Sequence, residues 1–172
     1  MFGNTRALVE AIAGELHEAM DVEVLRADRA TELRMHGIDL LVVGAPTHAW
    51  GLPRANTRRG SLENVRKSHG DLVLEPGADS QPGVREWLGS LGSFNSFGAA
   101  FDARVRASAL VTGRAPKAII VSLERHGLTM VLPAESFIVD RKNHLIPGEI
   151  ERAWQWGAHL RDEALDRLGL RH

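Results

Sequence analysis

Cysteine is absent from all 172 residues, which excludes disulfides, thiol catalysis and thiolate metal sites. A chain without disulfides is compatible with the cytosol. No excess of either charge is present: 21 Lys and Arg stand against 22 Asp and Glu, for a net charge of −1 and a pI near 6.7. That balance argues against a polybasic surface for nucleic acid or for anionic membranes. No apolar run approaches the ~20 residues that a membrane-spanning helix needs, and no signal-peptide pattern opens the chain. A soluble, cytoplasmic protein is the expectation, with no nucleic-acid partner and no membrane insertion. Two nucleotide motifs are missing as well. No Gly-Lys-Ser/Thr follows a glycine loop, and there is no Gly-x-Gly-x-x-Gly fingerprint.

What is present reads as one α/β domain over residues 1–172, with 44% hydrophobic and 25% charged residues to build a core and a surface. Helices and strands alternate. Leu8, Ala11, Ile12, Leu16 and Ala19 fall on one face of a first helix. Asp21 to Arg26 reads as a short strand through Val22 and Val24, and a turn-helix follows around Thr31 to His36. Ile38 to Gly44 is nearly all apolar, as a strand covered on both faces requires. Gly44-Ala45-Pro46 stops it, and a polar loop runs to about Gly60. Residues 61–80 read as loop.

Pro82 starts a helix carrying Val84, Trp87, Leu88 and Leu91 at i, i+3, i+4, i+7. Phe97 to Phe101 reads as a buried strand ending at Asp102-Ala103-Arg104. A helix from near Pro116 stops at Gly127, and Thr129 to Val139 reads as a strand with a bend at Pro133. The last helix, from about Glu149 to Leu168, should bury Ile150, Ala153, Trp154, Gly157, Leu160, Ala164 and Leu168. Such an order implies a parallel sheet with helices on both faces. Its ligands bind beyond the carboxyl ends of the strands.

Three segments fall at such ends. Met1-Phe2-Gly3-Asn4-Thr5 opens the first helix, whose leading N–H groups have no internal partner and favour negative charge. Gly3 permits close approach to the main chain; Asn4 and Thr5 supply a capping group and a hydroxyl. The second segment is Pro46-Thr47-His48-Ala49-Trp50-Gly51, and the third is Asp102-Ala103-Arg104.

Phe2-Gly3-Asn4-Thr5 with its helix, Gly44 to Gly51, and Phe101 to Arg104 together resemble the three cofactor loops of a flavodoxin-like protein. They are most similar to small bacterial flavodoxin-family proteins, whose later Glu-Ser-Phe is matched by Glu135-Ser136-Phe137. The resemblance covers nearly the whole chain. It implies a three-layer sandwich with a parallel sheet of order 2-1-3-4-5, and FMN as cofactor. It further implies a phosphate held at Phe2, Gly3, Asn4 and Thr5, for which an ordinary helix cap is the alternative.

Flavodoxins commonly shield the flavin with Tyr, but this chain has none, so Trp50 is the candidate stacking ring, or else a loop anchor. Pro46, Thr47, Ala49 and Gly51 would shape the loop and present amides to the ring's polar edge. His48 would lie near it without a catalytic role. Asp102 would accept a hydrogen from the pyrimidine edge or cap its loop, and Arg104 would support the same edge or pair with Asp102. Arg54, Arg58 and Arg59 form a basic group for an anionic partner, or a solvated face. No residue is assigned to catalysis.

The resemblance has one departure. The first strand that precedes the phosphate turn in such proteins is missing, although the 2-1-3-4-5 order makes it central. Its loss opens a slot about two ~4.8 Å strand spacings wide. The expectation is that Met1 is internal to a longer natural chain. The implied activity is electron transfer, or reduction of a quinone-like small molecule with NAD(P)H, with a redox partner protein in the former case. The alternative is a cofactor-free binding or regulatory module on the same architecture.

Overall fold

The computed structural model describes residues 3–30, 36–47, 82–105, 115–140 and 142–170. In chain order the elements are α1 (Asn4–His17), β1 (Leu40–Pro46), α2 (Val84–Gly89), β2 (Phe97–Val105), α3 (Ala115–Arg125), β3 (Thr129–Met130), β4 (Glu135–Val139) and α4 (Glu149–Leu168). The loop readings at 48–81 and the turn-helix at 31–35 lie outside the described residues.

All strand pairings within the sheet are parallel. β2 is central, with β1 on one side and β3 and β4 in succession on the other. Its position fits its composition: Gly98 through Ala103 are buried without a break, as a strand covered on both faces requires. β1 pairs along its length, from Leu40 opposite Phe97 to Pro46 opposite Ala103. The ladder continues one step further, where the Thr47 N–H donates to the Ala103 carbonyl at 2.9 Å. Gly44 faces Phe101, whose ring occupies the space that a side chain at position 44 would need.

The expected single strand from Thr129 to Val139 is interrupted. Thr129 and Met130 pair with Phe97 and Gly98, and pairing resumes at Glu135 opposite Phe101. Between them Val131, Leu132, Pro133 and Ala134 stand opposite Ala99 and Ala100 alone, so the chain bulges. Pro133 has no N–H for the ladder, and a bulge absorbs that loss. The expected strand at residues 21–26 does not form. Val22 packs at the core margin and Val24 is 48% exposed. A strand exists by its ladder, and no described strand stands beside this segment to supply one.

Helices cover both faces of the sheet. Alternation along β2 sends Phe101 to one face and Ala100 to the other. On the first, α1 contributes Leu8, Ile12 and Leu16, and α4 contributes Ala153, Trp156 and Leu160. Phe101 meets Phe137 at 5.7 Å and Trp156 at 6.1 Å between ring centroids, both edge to face. On the second face, Trp87 and Leu88 of α2 and Ile119 and Leu123 of α3 pack on Val43, Ala45 and Ala100.

Two inward assignments are corrected. Ala19 lies past the end of α1 and is exposed. Trp154 points outward, 47% exposed, and Trp156 takes the buried place. At about 100° per residue, Trp156 falls ~60° from Ala153 and near Leu160, whereas Trp154 is turned ~100° away. α2 is also shorter than expected, so that Leu91 lies beyond it.

Candidate functional site

A parallel sheet brings all its strand ends to one edge, and here that edge gathers Thr47, Asp102 to Val105, and the turn after β4. α1 begins with Gly3 as N-cap, in the left-handed conformation at φ 79° and with no side-chain cap. The first internal hydrogen bond runs from the Ala7 N–H to the Gly3 carbonyl at 2.9 Å. The amides of Asn4 and Thr5 therefore precede the helix's own ladder, where the partial positive charge of the helix is greatest.

Asn4 is not the cap that the sequence suggested. Its side chain is spent elsewhere, with Nδ2 donating to the Asn143 carbonyl at 2.6 Å. Asn143 sits in the turn after β4 at φ 63°. That turn is organised by Asp140, whose Oδ1 accepts the Lys142 and His144 N–H groups at 2.8 and 2.9 Å. Those backbone donors hold the Asp140 carboxyl below the ordinary aspartate value. The start of α1 is thus tied to the end of β4.

The second and third segments meet through side chains. Asp102 lies within β2, which continues to Val105, so the strand is longer than its sequence suggested. On the α2/α3 face of the sheet, Asp102 Oδ2 accepts the Thr47 hydroxyl. Ser136 of β4 stands directly opposite Asp102 in register. The Asp102 side chain has 0% exposure, and its Oδ1 meets no hydrogen-bond partner of good geometry among the described residues. Burial pushes the carboxyl above its ordinary value; hydrogen bonds from Thr47 and Ser136 and the Arg104 charge pull it back, while Glu135 pushes it further up.

A second polar cluster joins β4 to α4. Glu149 is buried, and its Oε2 accepts the Ile138 N–H at 2.7 Å. Arg152 donates through Nη1 to both Glu149 oxygens at 2.7 Å. Through Nη2 it reaches Glu135 Oε1 at 2.8 Å and the Ser136 carbonyl at 3.2 Å. Its guanidinium also lies 5.3 Å from the centroid of the Phe137 ring. This cluster fixes the strand end that carries Ser136.

Of the residues expected at the site, the structure brings Thr47 and Asp102 into contact and places Gly3 and Asn4 beside the turn after β4. Phe2, His48, Ala49, Trp50 and Gly51 lie outside the described residues, as do Arg54, Arg58 and Arg59. Sequence reasoning missed Ser136, Asn143 and the Glu149–Arg152 pair as site-edge groups. The i, i+3 spacing of Glu149 and Arg152 was the one local signal available.

No family model matches the sequence, and no curated protein sequence matches it significantly. Solved structures do. An archaeal flavodoxin is 16% identical with a TM-score of 0.61, covering 95% of this chain and 92% of its own. Oxidised flavodoxin 1 from Bacillus cereus is 20% identical with a TM-score of 0.61, covering 94% of this chain and 92% of its own. The rubredoxin oxygen:oxidoreductase of Desulfovibrio gigas is 15% identical with a TM-score of 0.60, and its match takes in 98% of this chain but 35% of the larger protein. With its parallel sheet, its two helical layers and these neighbours, the chain has the flavodoxin-like fold.

Proposed function

We infer that this protein binds FMN at the carboxyl edge of its sheet and serves as a redox flavoprotein. The observation that carries the reading is the uncapped start of α1, tied to the β4 turn at the edge where Thr47 and Asp102 meet in a flavodoxin-like fold. A bound flavin supplies electron acceptance and donation, in one- or two-electron steps. The protein's part is to bind, orient and shield.

Gly3, Asn4 and Thr5 hold the phosphate by their amides, assisted by the Thr5 hydroxyl. Phe2 stands at the same turn. Pro46 to Gly51 form the ring loop, with Trp50 as the stacking group and His48 and Ala49 beside it. Asp102, being fully buried, serves the loop through Thr47 rather than by touching the ring. Arg104 places positive charge at the same strand end. The reaction is electron transfer with a partner protein, or reduction of a quinone-like molecule by NAD(P)H. Among the described residues no helix is long and apolar enough to cross a membrane.

A second reading, a binding module without cofactor, is favoured by one observation: residues 21–26 stand outside the sheet, so its β1 side is narrower than the 2-1-3-4-5 order implies. Titration with FMN and with riboflavin separates the two. The flavin reading expects quenched FMN fluorescence and weaker binding of riboflavin, which lacks the phosphate. A folded chain that quenches neither supports the module.

The variant Thr5→Glu is the sharper probe. A carboxylate in the first helical turn favours the helix, yet it repels a phosphate at the same amides. It should weaken FMN at least tenfold, a loss of ~1.4 kcal/mol, without lowering stability.

A further inference from the structure

Asp102 is the one charged residue type buried at the strand ends, and nothing in the flavin reading requires a carboxyl there. An alanine or asparagine would fill the same space with less desolvation cost. Its surroundings are specific. The Thr47 hydroxyl, just past β1, binds Oδ2; Ser136 on β4 faces it across the ladder; and Oδ1 is enclosed without a partner of good geometry.

We propose that Asp102 is a positioning residue: as a neutral carboxyl it clamps Thr47, and thereby the first residues of the Pro46–Gly51 loop, to the centre of the sheet, and its ionisation releases the clamp. The clamp stands on the geometry alone. Its effect on ligand rests on the flavin reading.

The groups facing Asp102 are few. Thr47 comes from the β1 side, Ser136 and Glu135 from β4, and Arg104 from its own strand. α3 packs over this face with Ile119 and Leu123, and keeps Lys117, Glu124 and Arg125 exposed. Among these, one cation and two hydroxyls oppose burial and one carboxylate reinforces it, and burial is the largest influence. Sealed from water with Oδ1 unpartnered, an ionised Asp102 is the costly form and the neutral acid the stable one. Ionisation is relieved by letting water in, which means parting Thr47 from β2.

The sign follows from linkage. A carboxyl raised in the folded state holds its proton when the unfolded chain has lost it, so the folded form is favoured at low pH. That stability is lost as pH climbs from the ordinary value of 3.8 through the raised folded value. In that window the folding equilibrium constant of the wild type, divided by that of Asp102→Asn, should fall about tenfold per pH unit, one proton being linked. All other titrations cancel in the ratio.

Three measurements test the clamp. Urea unfolding of wild type and Asp102→Asn from pH 4 to 8 should give the sloping ratio. The carbon-13 shift of the Asp102 carboxyl, followed in the wild type, should titrate above 3.8. In Thr47→Val, which keeps the shape and removes the donor, that midpoint should move higher still. A pH-independent ratio, or a carboxyl midpoint at or below the ordinary value, overturns the proposal. If Asp102→Asn does not fold, the wild-type and Thr47→Val carboxyl titrations decide alone.

FMN affinity of the wild type should weaken over the same window, and that of Asp102→Asn should stay flat. If no FMN binds at any pH while the ratio still slopes, the flavin reading fails and the clamp stands. If FMN binds both proteins with the same pH profile, the loop is not positioned through Asp102.

Discussion

Placing a methyl group on Gly44 probes the centre of the sheet. A Cβ there would lie 2.2 Å from Phe101 Cζ, and 2.6 and 2.7 Å from the two Cε atoms. Carbon atoms in ordinary contact stand ~3.5–4.0 Å apart, so the ring must retreat by more than 1 Å. It has nowhere to go: Phe101 is 1% exposed, and Phe137 and Trp156 contact it edge on at 5.7 and 6.1 Å. Gly44→Ala should therefore cost ~1–3 kcal/mol as an overpacking substitution.

Phe101→Leu alone should also destabilise, by leaving a void. Together, however, the smaller side chain makes room for the new methyl, so the double variant should be more stable than the sum of the singles by at least ~1 kcal/mol. Urea unfolding followed by tryptophan fluorescence measures all three, since Trp156 sits in the same aromatic cluster. Strict additivity, or a Gly44→Ala variant within ~0.5 kcal/mol of wild type, would refute the register that sets Gly44 against Phe101.

Three further outcomes follow from the polar groups. Glu149→Ala strands the Arg152 guanidinium and the Ile138 N–H, and should cost ~3 kcal/mol in the same unfolding assay, as loss of one partner from a buried pair does. Asn143→Gly should be nearly neutral because φ 63° suits glycine, whereas Asn143→Val should lower the melting temperature, since a β-branched residue is strained there. Asp140 is held low by two backbone donors, so its contribution to the turn is present above the ordinary 3.8 and is lost as pH falls through its lower folded value. Amide exchange of Lys142 and His144 should accelerate, relative to the random-coil rate at each pH, on acidification through that range.

Periodicity made most of the helices and both long strands legible. The Leu8, Ile12, Leu16 stripe, the apolar run at 40–46 and the small-residue strand 97–105 each announce their burial locally. Partnership is what a single sequence conceals. Residues 21–26 have strand-like residues but no ladder, and Pro133 breaks a strand whose two ends still pair in turn with β2. Choosing Trp154 over Trp156 was an error of phase along a helix with a tryptophan on either side of Gln155. At the site, the order of the three segments located the sheet edge. It did not reveal that Asn4 would turn to Asn143, that Asp102 would be sealed between Thr47 and Ser136, or that Arg152 would brace β4. Those contacts join residues distant in sequence, and no local pattern encodes them.

Amide shifts of the nitrogen-15-labelled protein, recorded as FMN is added, bear most directly on whether this sheet edge holds a flavin nucleotide. Shifts concentrated at Gly3, Asn4, Thr5, Thr47 and Ala103 to Val105, saturating at one FMN per chain, are the expected result. A folded protein whose amides do not respond, or respond only at the opposite ends of the strands, would contradict it.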